Sequence, residues 1–330
     1  MQMAATEIAT SFDSILIVAF GGPTSGDQGY EYVKGIVGDR PAAETRIRDV
    51  AGHYEQLNGS PFNSLTFEQS EAVKAELKLR GIEVPIHTGM RHWDPYVKDV
   101  MKEMADSGLQ NTMVVIMATH QCFVSWDWYQ STVAEGNEAL GKNTMTITYT
   151  DPWWNAPEFI QANVDNLQAV FSSLGDKASE AKLIFSVHSI PISSCPPCRA
   201  GERECPYTDQ FKESAQLIAD ALGRGDDFEI CYQSQHEFSR VWTEPDVNEL
   251  LRKCKEEGVK DVVISPIGFL VDHVEVLWDL DIEAKETCEE CGIGYHRSET
   301  AGTHPEFIKL IGDRIEARFQ NQTRIPAPLS

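Results

Sequence analysis

Leu183-Ile184-Phe185-Ser186-Val187-His188-Ser189-Ile190-Pro191 is the stretch whose reading decides the fold. A short apolar run ends in a histidine and then in a Ser-Ile-Pro break. A run this brief, bounded by turn residues, reads as a buried strand and not as a helix. The signature recurs at residues 15–19, 84–88, 113–118, 145–149, 228–232 and 262–266. Between these runs lie segments of helical spacing, at residues 67–80, 95–106, 128–140, 157–174, 208–222, 245–257 and 272–286. A last helix is predicted over residues 305–319. Such alternation predicts an α/β protein whose parallel sheet is flanked by helices on both faces. The series pauses at Gly175-Asp176-Lys177 and then restarts. Two similar halves follow, at residues 14–150 and 181–319, joined by a connecting helix and crossover over 151–180, with a tail at 320–330. They should face each other across a cleft.

The 330 residues carry a formal net charge of −23. That excess of carboxylates argues against nucleic acid, because phosphates need neutralising by Lys and Arg. It also makes a poor partner for anionic lipid heads. No apolar run approaches the roughly 20 residues that span a bilayer. The first residues show no basic stretch leading into an apolar core, so no secretory signal is read. The expectation is a cytoplasmic protein without a transmembrane segment. Oligomeric state has no signature in the sequence.

In open parallel sheets ligands bind beyond the carboxyl ends of the strands. The first strand runs into Phe20-Gly21-Gly22-Pro23, the third into Thr119-His120-Gln121-Cys122-Phe123, and the fifth into His188. The sixth runs into Gln233-Ser234-Gln235-His236, and the seventh towards Asp272-His273-Val274-Glu275. No Gly-rich phosphate loop of either common pattern appears, which disfavours nucleotide enzymes. Asp272 is a candidate N-cap for a helix carrying Glu275, Asp279 and Glu283 on one face. Like charges at that spacing cost roughly 0.2–0.5 kcal/mol per pair. A row that attracts cations or shares protons explains the cost; a solvated acidic face explains the row equally well. His188 alone reads more often as a hydrogen-bonded structural residue than as a ligand, and its place at a strand end improves the second reading.

Cys195, Cys198 and Cys205 crowd one loop, at residues 192–206, with C-x2-C-x6-C spacing. Thiolates suit Fe–S clusters or Zn²⁺. Cys231, at the end of the next strand, is the fourth ligand we expect. Cys288 and Cys291 form a close pair that reads better as packing or surface thiols.

Taken together, the segments resemble a family. Phe185-Ser-Val-His-Ser-Ile-Pro191 resembles the ferrochelatase segment that carries the active-site histidine. Pro266-Ile-Gly-Phe-Leu-Val-Asp-His-Val-Glu-Val-Leu-Trp-Asp-Leu-Asp-Ile-Glu283 resembles the second signature, with its metal-facing glutamate. Ala19-Phe-Gly-Gly-Pro23, Tyr54-Glu-Gln-Leu-Asn-Gly-Ser-Pro61 and Gly89-Met-Arg-His-Trp93 are weaker matches in the right order. The resemblance implies the chelatase fold, two Rossmann-like halves with a porphyrin cleft between them. It implies Fe²⁺ as substrate, His188 and Glu275 on either side of the metal, and Asp279 and Glu283 as a path for iron or protons. The cysteine loop resembles that of relatives with a [2Fe–2S] cluster in an internal loop; Zn²⁺ and free thiols stay open.

Carried over by position, Phe20, Tyr54, Ser60, Arg91 and Tyr129 would touch the porphyrin. Arg40, Arg46 and Arg91 are the nearest basic candidates for its propionates. Thr119-His-Gln-Cys-Phe-Val-Ser125 and Asp272-His-Val-Glu-Val-Leu-Trp-Asp-Leu-Asp281 resemble the coproporphyrin III group, so that ring is favoured over protoporphyrin IX. Phe20 stands where some members of that group have an iron-ligating tyrosine, and a phenyl ring has no ligating atom. A cobalt chelatase of the same class would pair two histidines. A non-catalytic haem or porphyrin carrier on the same fold would have no use for the acidic row. A structural metal-binding protein built on the cysteine loop would leave the cleft without a purpose.

Overall fold

The structure, a computed structural model, describes residues 12–38, 44–191, 206–235 and 242–323. Ser14–Ala19 (β1) and Asn111–Ile116 (β3) are buried along their whole length. Strands apolar on both faces must be covered on both, so these two lie at the centre of a parallel sheet. Ile86–Met90 (β2) and Thr146–Tyr149 (β4) are partly exposed and form its edges, in the order β2-β1-β3-β4. Ile15 pairs with Ile86 on one side and Met113 on the other.

Lys182–His188 (β5), Glu229–Gln233 (β6), Asp261–Ser265 (β7) and Gly294–Arg297 (β8) build a second parallel sheet, ordered β6-β5-β7-β8. The second order repeats the first. Its register sets His188 opposite Gln233.

Gly29–Val37 (α1), Glu44–Gln56 (α2), Phe62–Leu79 (α3), Val97–Asp106 (α4) and Trp128–Ala139 (α5) belong to the first half. Pro157–Leu174 (α6) bridges to the second, which adds Tyr207–Ala221 (α7), Val247–Glu256 (α8), Val274–Trp278 (α9) and Lys285–Cys291 (α10). Pro305–Thr323 (α11) then returns to pack against α3 and α6. One core runs through both halves, holding Ile15, Val115, Trp153, Phe185, Phe211 and Phe307. Each large apolar side chain so buried contributes roughly 1.5–3 kcal/mol. No helix among the described residues is long and apolar enough to cross a membrane.

The structure differs from the sequence reading at three places. α1 and α2 were not anticipated, although Ile47, Val50, Ala51 and Tyr54 carry a helical spacing. β8 was missed because an edge strand of Gly-Tyr-His-Arg has no apolar run to announce it. The single helix expected over 272–286 is instead α9, a π-helical turn over Asp279–Ala284, and α10.

Candidate active site

His188 is the last residue of β5, and three bonds fix it there. Ser189 N–H donates to the Gln233 carbonyl at 2.8 Å. The Tyr207 hydroxyl donates to the His188 carbonyl at 3.0 Å. The ring Nδ1 meets the Ser189 carbonyl. A carbonyl only accepts, so Nδ1 carries the proton and Nε2 is the atom left to meet a partner.

Nε2 faces the Glu275 carboxylate, 3.5 Å away. Burial works against a charged imidazole here. The Glu275 carboxylate, the Ser189 carbonyl and Asp279 outweigh it and raise the His188 pKa to about 9. These surroundings favour an imidazolium beside the Glu275 carboxylate.

Glu275 lies in the first turn of α9. The N-cap is His273, whose Nδ1 accepts the Glu275 N–H at 3.2 Å. This corrects the expected cap: Asp272 instead pairs with Arg297 at 2.9 Å. Burial keeps the His273 ring short of protons, which suits an accepting nitrogen. Gln233 Nε2 donates to the Glu275 carbonyl at 2.9 Å, and Ser186 donates to the Gln233 amide oxygen at 3.1 Å. The floor of the second sheet thus holds both members of the pair.

Beyond Glu275 the carboxylates continue over wider turns than expected. A π-helical segment bonds i to i+5. Trp278 Nε1 donates to Glu283 at 2.8 Å across that spacing. Asp279 accepts from the Ser234 hydroxyl, and Ser234 takes a left-handed backbone with φ of 63°. Burial raises the Asp279 pKa to about 7; Glu275 and Glu283 add to the rise, while Ser234 and His188 oppose it. One carboxyl poised at neutrality thus stands behind a His–Glu pair. Arg46 faces this row from α2, where burial works against its charge and Glu275, Asp279 and Glu283 favour it. Arg40 lies outside the described residues.

The first half contributes rings. Tyr32, Tyr54 and Val274 form one cluster, with Phe20, Trp93 and Trp278 packed against it. Tyr32 donates to the Gly21 carbonyl at 2.7 Å and meets Tyr54 and Trp93 edge-on. His53 stacks on Trp278 at 4.0 Å, and burial with nearby Arg46 lowers its pKa to about 4. Gly21 has φ of +86°, and a Cβ there would come within 2.7 Å of Met90 Cβ, so glycine lets the Phe20 loop lie against β2. Ser60 and Asn63 hold the same loop: the Ser60 N–H donates to the Pro23 carbonyl at 2.8 Å, and Asn63 accepts from Gly22 at 2.9 Å.

Of the expected porphyrin contacts, Phe20, Tyr54 and Ser60 share this neighbourhood. Tyr129 is buried in a separate cluster that Phe20 also touches. Arg91 lies 4.3 Å over the Trp128 ring, in a pocket of about 520 Å³ between α4 and α5 that His92, Lys98 and Ser131 help to line. Tyr32, His53, Tyr207 and His273 were missed. Of these, Tyr32 and His53 sit on the two helices that escaped the sequence reading.

The cysteine reading needs correction. Cys195, Cys198 and Cys205 lie outside the described residues. Cys231, expected as their fourth partner, is fully buried in the core beneath α8 and α10. Its thiol meets the Phe185 carbonyl at 3.6 Å, and burial pushes its pKa well up. Such a thiol is a packing residue and does not fit a cluster ligand. Cys288 is buried in the same core with Cys291 against it. No group of three or more His, Cys, Asp or Glu arranged to hold a metal occurs among the described residues.

A profile described as Ferrochelatase matches residues 13–319. A ferrochelatase of Rhodopirellula baltica is 32% identical over 96% of this chain and 89% of its own. A coproporphyrin III ferrochelatase of Mycolicibacterium smegmatis is 32% identical over 93% and 89%. Among solved structures, the cobalt complex of the sirohydrochlorin chelatase SirB from Bacillus subtilis subspecies spizizenii superposes with a TM-score of 0.54 at 12% identity, covering 94% of this chain and 96% of its own. CbiX, the terminal enzyme of sirohaem biosynthesis in denitrifying bacteria, gives 0.53 at 12% identity, over 92% and 98%. These structures share the two-half chelatase fold. With paired sheets, an imidazole and a carboxylate at their carboxyl edge, and a match over nearly the whole length, the chain belongs to the ferrochelatase family, whose members are metal chelatases that put iron into porphyrin for haem.

Proposed function

We propose that this enzyme inserts Fe²⁺ into coproporphyrin III, with His188 and Glu275 handling the metal and the protons. The supporting observation is the His188–Glu275 pair, which offers one borderline nitrogen and one hard oxygen on an open site. Two donors hold a passing ion weakly enough to hand it on, whereas a closed four-ligand cage would retain it.

The proton balance follows from the site. Metallation releases two pyrrole protons for each Fe²⁺ taken in. His188 starts protonated, so arrival of the dication must first drive the proton from Nε2. Fe²⁺ and the Glu275 partnership then compete for the same imidazole. The displaced proton would leave to solvent, and with Fe²⁺ on Nε2 the Glu275 carboxylate would be the base left to take the pyrrole protons in turn. Asp279, ionising near pH 7, is suited to take a proton from this pair and pass it towards Glu283. The aromatic wall of the first half would press on the macrocycle's face, and bending of the ring would draw on that binding energy.

The choice of coproporphyrin III rests on the Thr119–Ser125 segment and on relatives bearing that name. Anaerobic incubation with Fe²⁺ and either coproporphyrin III or protoporphyrin IX, followed by product absorbance, should show faster metallation of the four-propionate ring. Preference for protoporphyrin IX would reverse the assignment. A [2Fe–2S] cluster on Cys195, Cys198 and Cys205 would need a fourth ligand other than Cys231. Protein purified anaerobically would then be red-brown, with about two irons per chain; colourless protein with stoichiometric zinc would exclude it.

A further inference from the structure

Arg297 ends β8, the outer strand of the second sheet, and its side chain is 14% exposed. Each of its five N–H groups has an acceptor. Nε and Nη2 donate to Asp281 at 2.7 and 2.9 Å. Nη1 and Nη2 donate to Asp272 at 3.2 and 2.9 Å. The remaining Nη1 proton reaches the Ser298 carbonyl at 3.2 Å. Two carboxylates thus share one planar fork, the geometry to which guanidinium is matched and ammonium is not.

The places of those carboxylates matter. Asp272 precedes the α9 cap and stands three residues before Glu275. Asp281 lies inside the π-helical turn, between Asp279 and Glu283. One guanidinium therefore grips the helix on both sides of the carboxylates that face His188. Its own base is rigid. Arg297 is in register with Ile264, Ser298 N–H donates to the Ile264 carbonyl at 2.9 Å, and the Ser298 and Ser265 hydroxyls meet at 2.8 Å. The Tyr295 hydroxyl adds a long contact to Asp281 at 3.5 Å.

A π-helical turn is a rare state that tends to appear as a single turn within an α-helix. Released, it would tighten towards α geometry, and each residue drawn into the ordinary ladder turns its successors by about 100°. We infer that Arg297 is a positioning residue that holds the wide turn and so keeps Glu275 and Asp279 directed at His188. The inference rests on the assignment of His188 and Glu275 as the metal-handling pair.

A second arginine provides the control. Arg80 spends its donors on Glu76, Asp313, Glu316 and the Lys309 carbonyl, joins α3 to α11, and is 13% exposed. It has the same chemistry and the same burial but no bond to a residue of the site.

The test compares R297Q, R297K, R80Q and E275Q, each assayed with Fe²⁺ and whichever porphyrin the unaltered enzyme metallates. R297Q should lose kcat by about 10- to 100-fold, the scale of a small misplacement of reacting groups, with porphyrin KM close to wild type. R297K should not restore kcat. R80Q should lower Tm without lowering kcat. Amide exchange across residues 274–286 should quicken in R297Q and stay slow in β5. If R297Q does not fold, D281N, which removes one grip and leaves the other, should show the same kcat loss in milder form. Wild-type kcat in R297Q (or in D281N where only that variant folds), or a kcat loss in R80Q matching its loss of Tm, would overturn the positioning role. An active E275Q would instead overturn the assignment of the metal-handling pair. An inactive E275Q beside a fully active R297Q refutes the positioning role alone.

Discussion

β3 and β7 hold the same place in their sheets, and each is followed by a π-helical turn, Phe123–Asp127 in the first half and Asp279–Ala284 in the second. The first turn carries rings: Phe123 packs edge-on to Trp128 at 5.8 Å and Trp126 to Trp153 at 6.4 Å. The second carries Asp279, Asp281 and Glu283. β1 and β5 show the same split, one running into Phe20 and glycines, the other into His188. One backbone plan therefore serves two chemistries. The half lined with rings suits a flat macrocycle, and the half lined with ionisable groups suits a metal and protons. The division is testable because the halves should fail in different kinetic constants.

The largest effect is expected in the second half. H188A and E275Q should each lower kcat by about 10² to 10⁴, the usual range for a positioned acid or base. Porphyrin binding, followed by fluorescence quenching, should survive. Turnover near wild type in either variant would mean that the metal is handled elsewhere. In the first half the expected failure is of the other kind. F20A or W93A removes ring contacts worth about 0.5–1.5 kcal/mol, so porphyrin KM should rise by up to about tenfold while kcat changes little. A fall in kcat at constant KM would break the proposed division. A milder effect is expected at Asp279. Its carboxyl is protonated below pH 7 and charged above, so as a proton acceptor it should make kcat climb through that region. D279N should flatten the climb and lower kcat at pH 8 by less than either variant of the pair. An unchanged profile would remove Asp279 from the proton path.

The strands of both centres were legible because they are short, apolar and buried on both faces, as β1, β5 and β7 show. Their ends pointed to the candidate site, since His188 and Glu275 lie where a parallel sheet presents its carboxyl edge, and the family resemblance supplied their expected roles. What stayed hidden lacks a local signal. β8 is a half-exposed edge, and Arg297 gains its meaning only from Asp272 and Asp281, which are distant in sequence. The π-helical turn has no periodicity separable from an α-helix over so few residues. Cys231 misled because strand position tells which edge a residue nears and not which face it buries.

The smallest effect concerns stability, and there the halves differ in sign. In the first half burial lowers His53 and His92 to about 4 and His120 to about 3. Between those values and 6.5 the unfolded chain binds more protons than the folded one, so stability rises with pH and then levels off. In the second half burial raises Asp279 to about 7, and Glu275 outweighs burial to raise His188 to about 9. The folded state now binds more protons. Stability from Asp279 falls as pH climbs from about 4 towards 7, and that from His188 is present below 6.5 and lost as pH passes 9. His273, lowered by burial, runs against that sign within the second half. From about pH 7 to 8, below the range where the unfolded chain's thiols ionise while buried Cys231, Cys254 and Cys288 stay protonated, the main slope left belongs to His188. The urea midpoint of the wild type should decline over this interval, while H188A, and E275Q through loss of the partner carboxylate, should hold nearly constant. If all three decline in parallel, the imidazolium–carboxylate pair is not what the folded site is holding together.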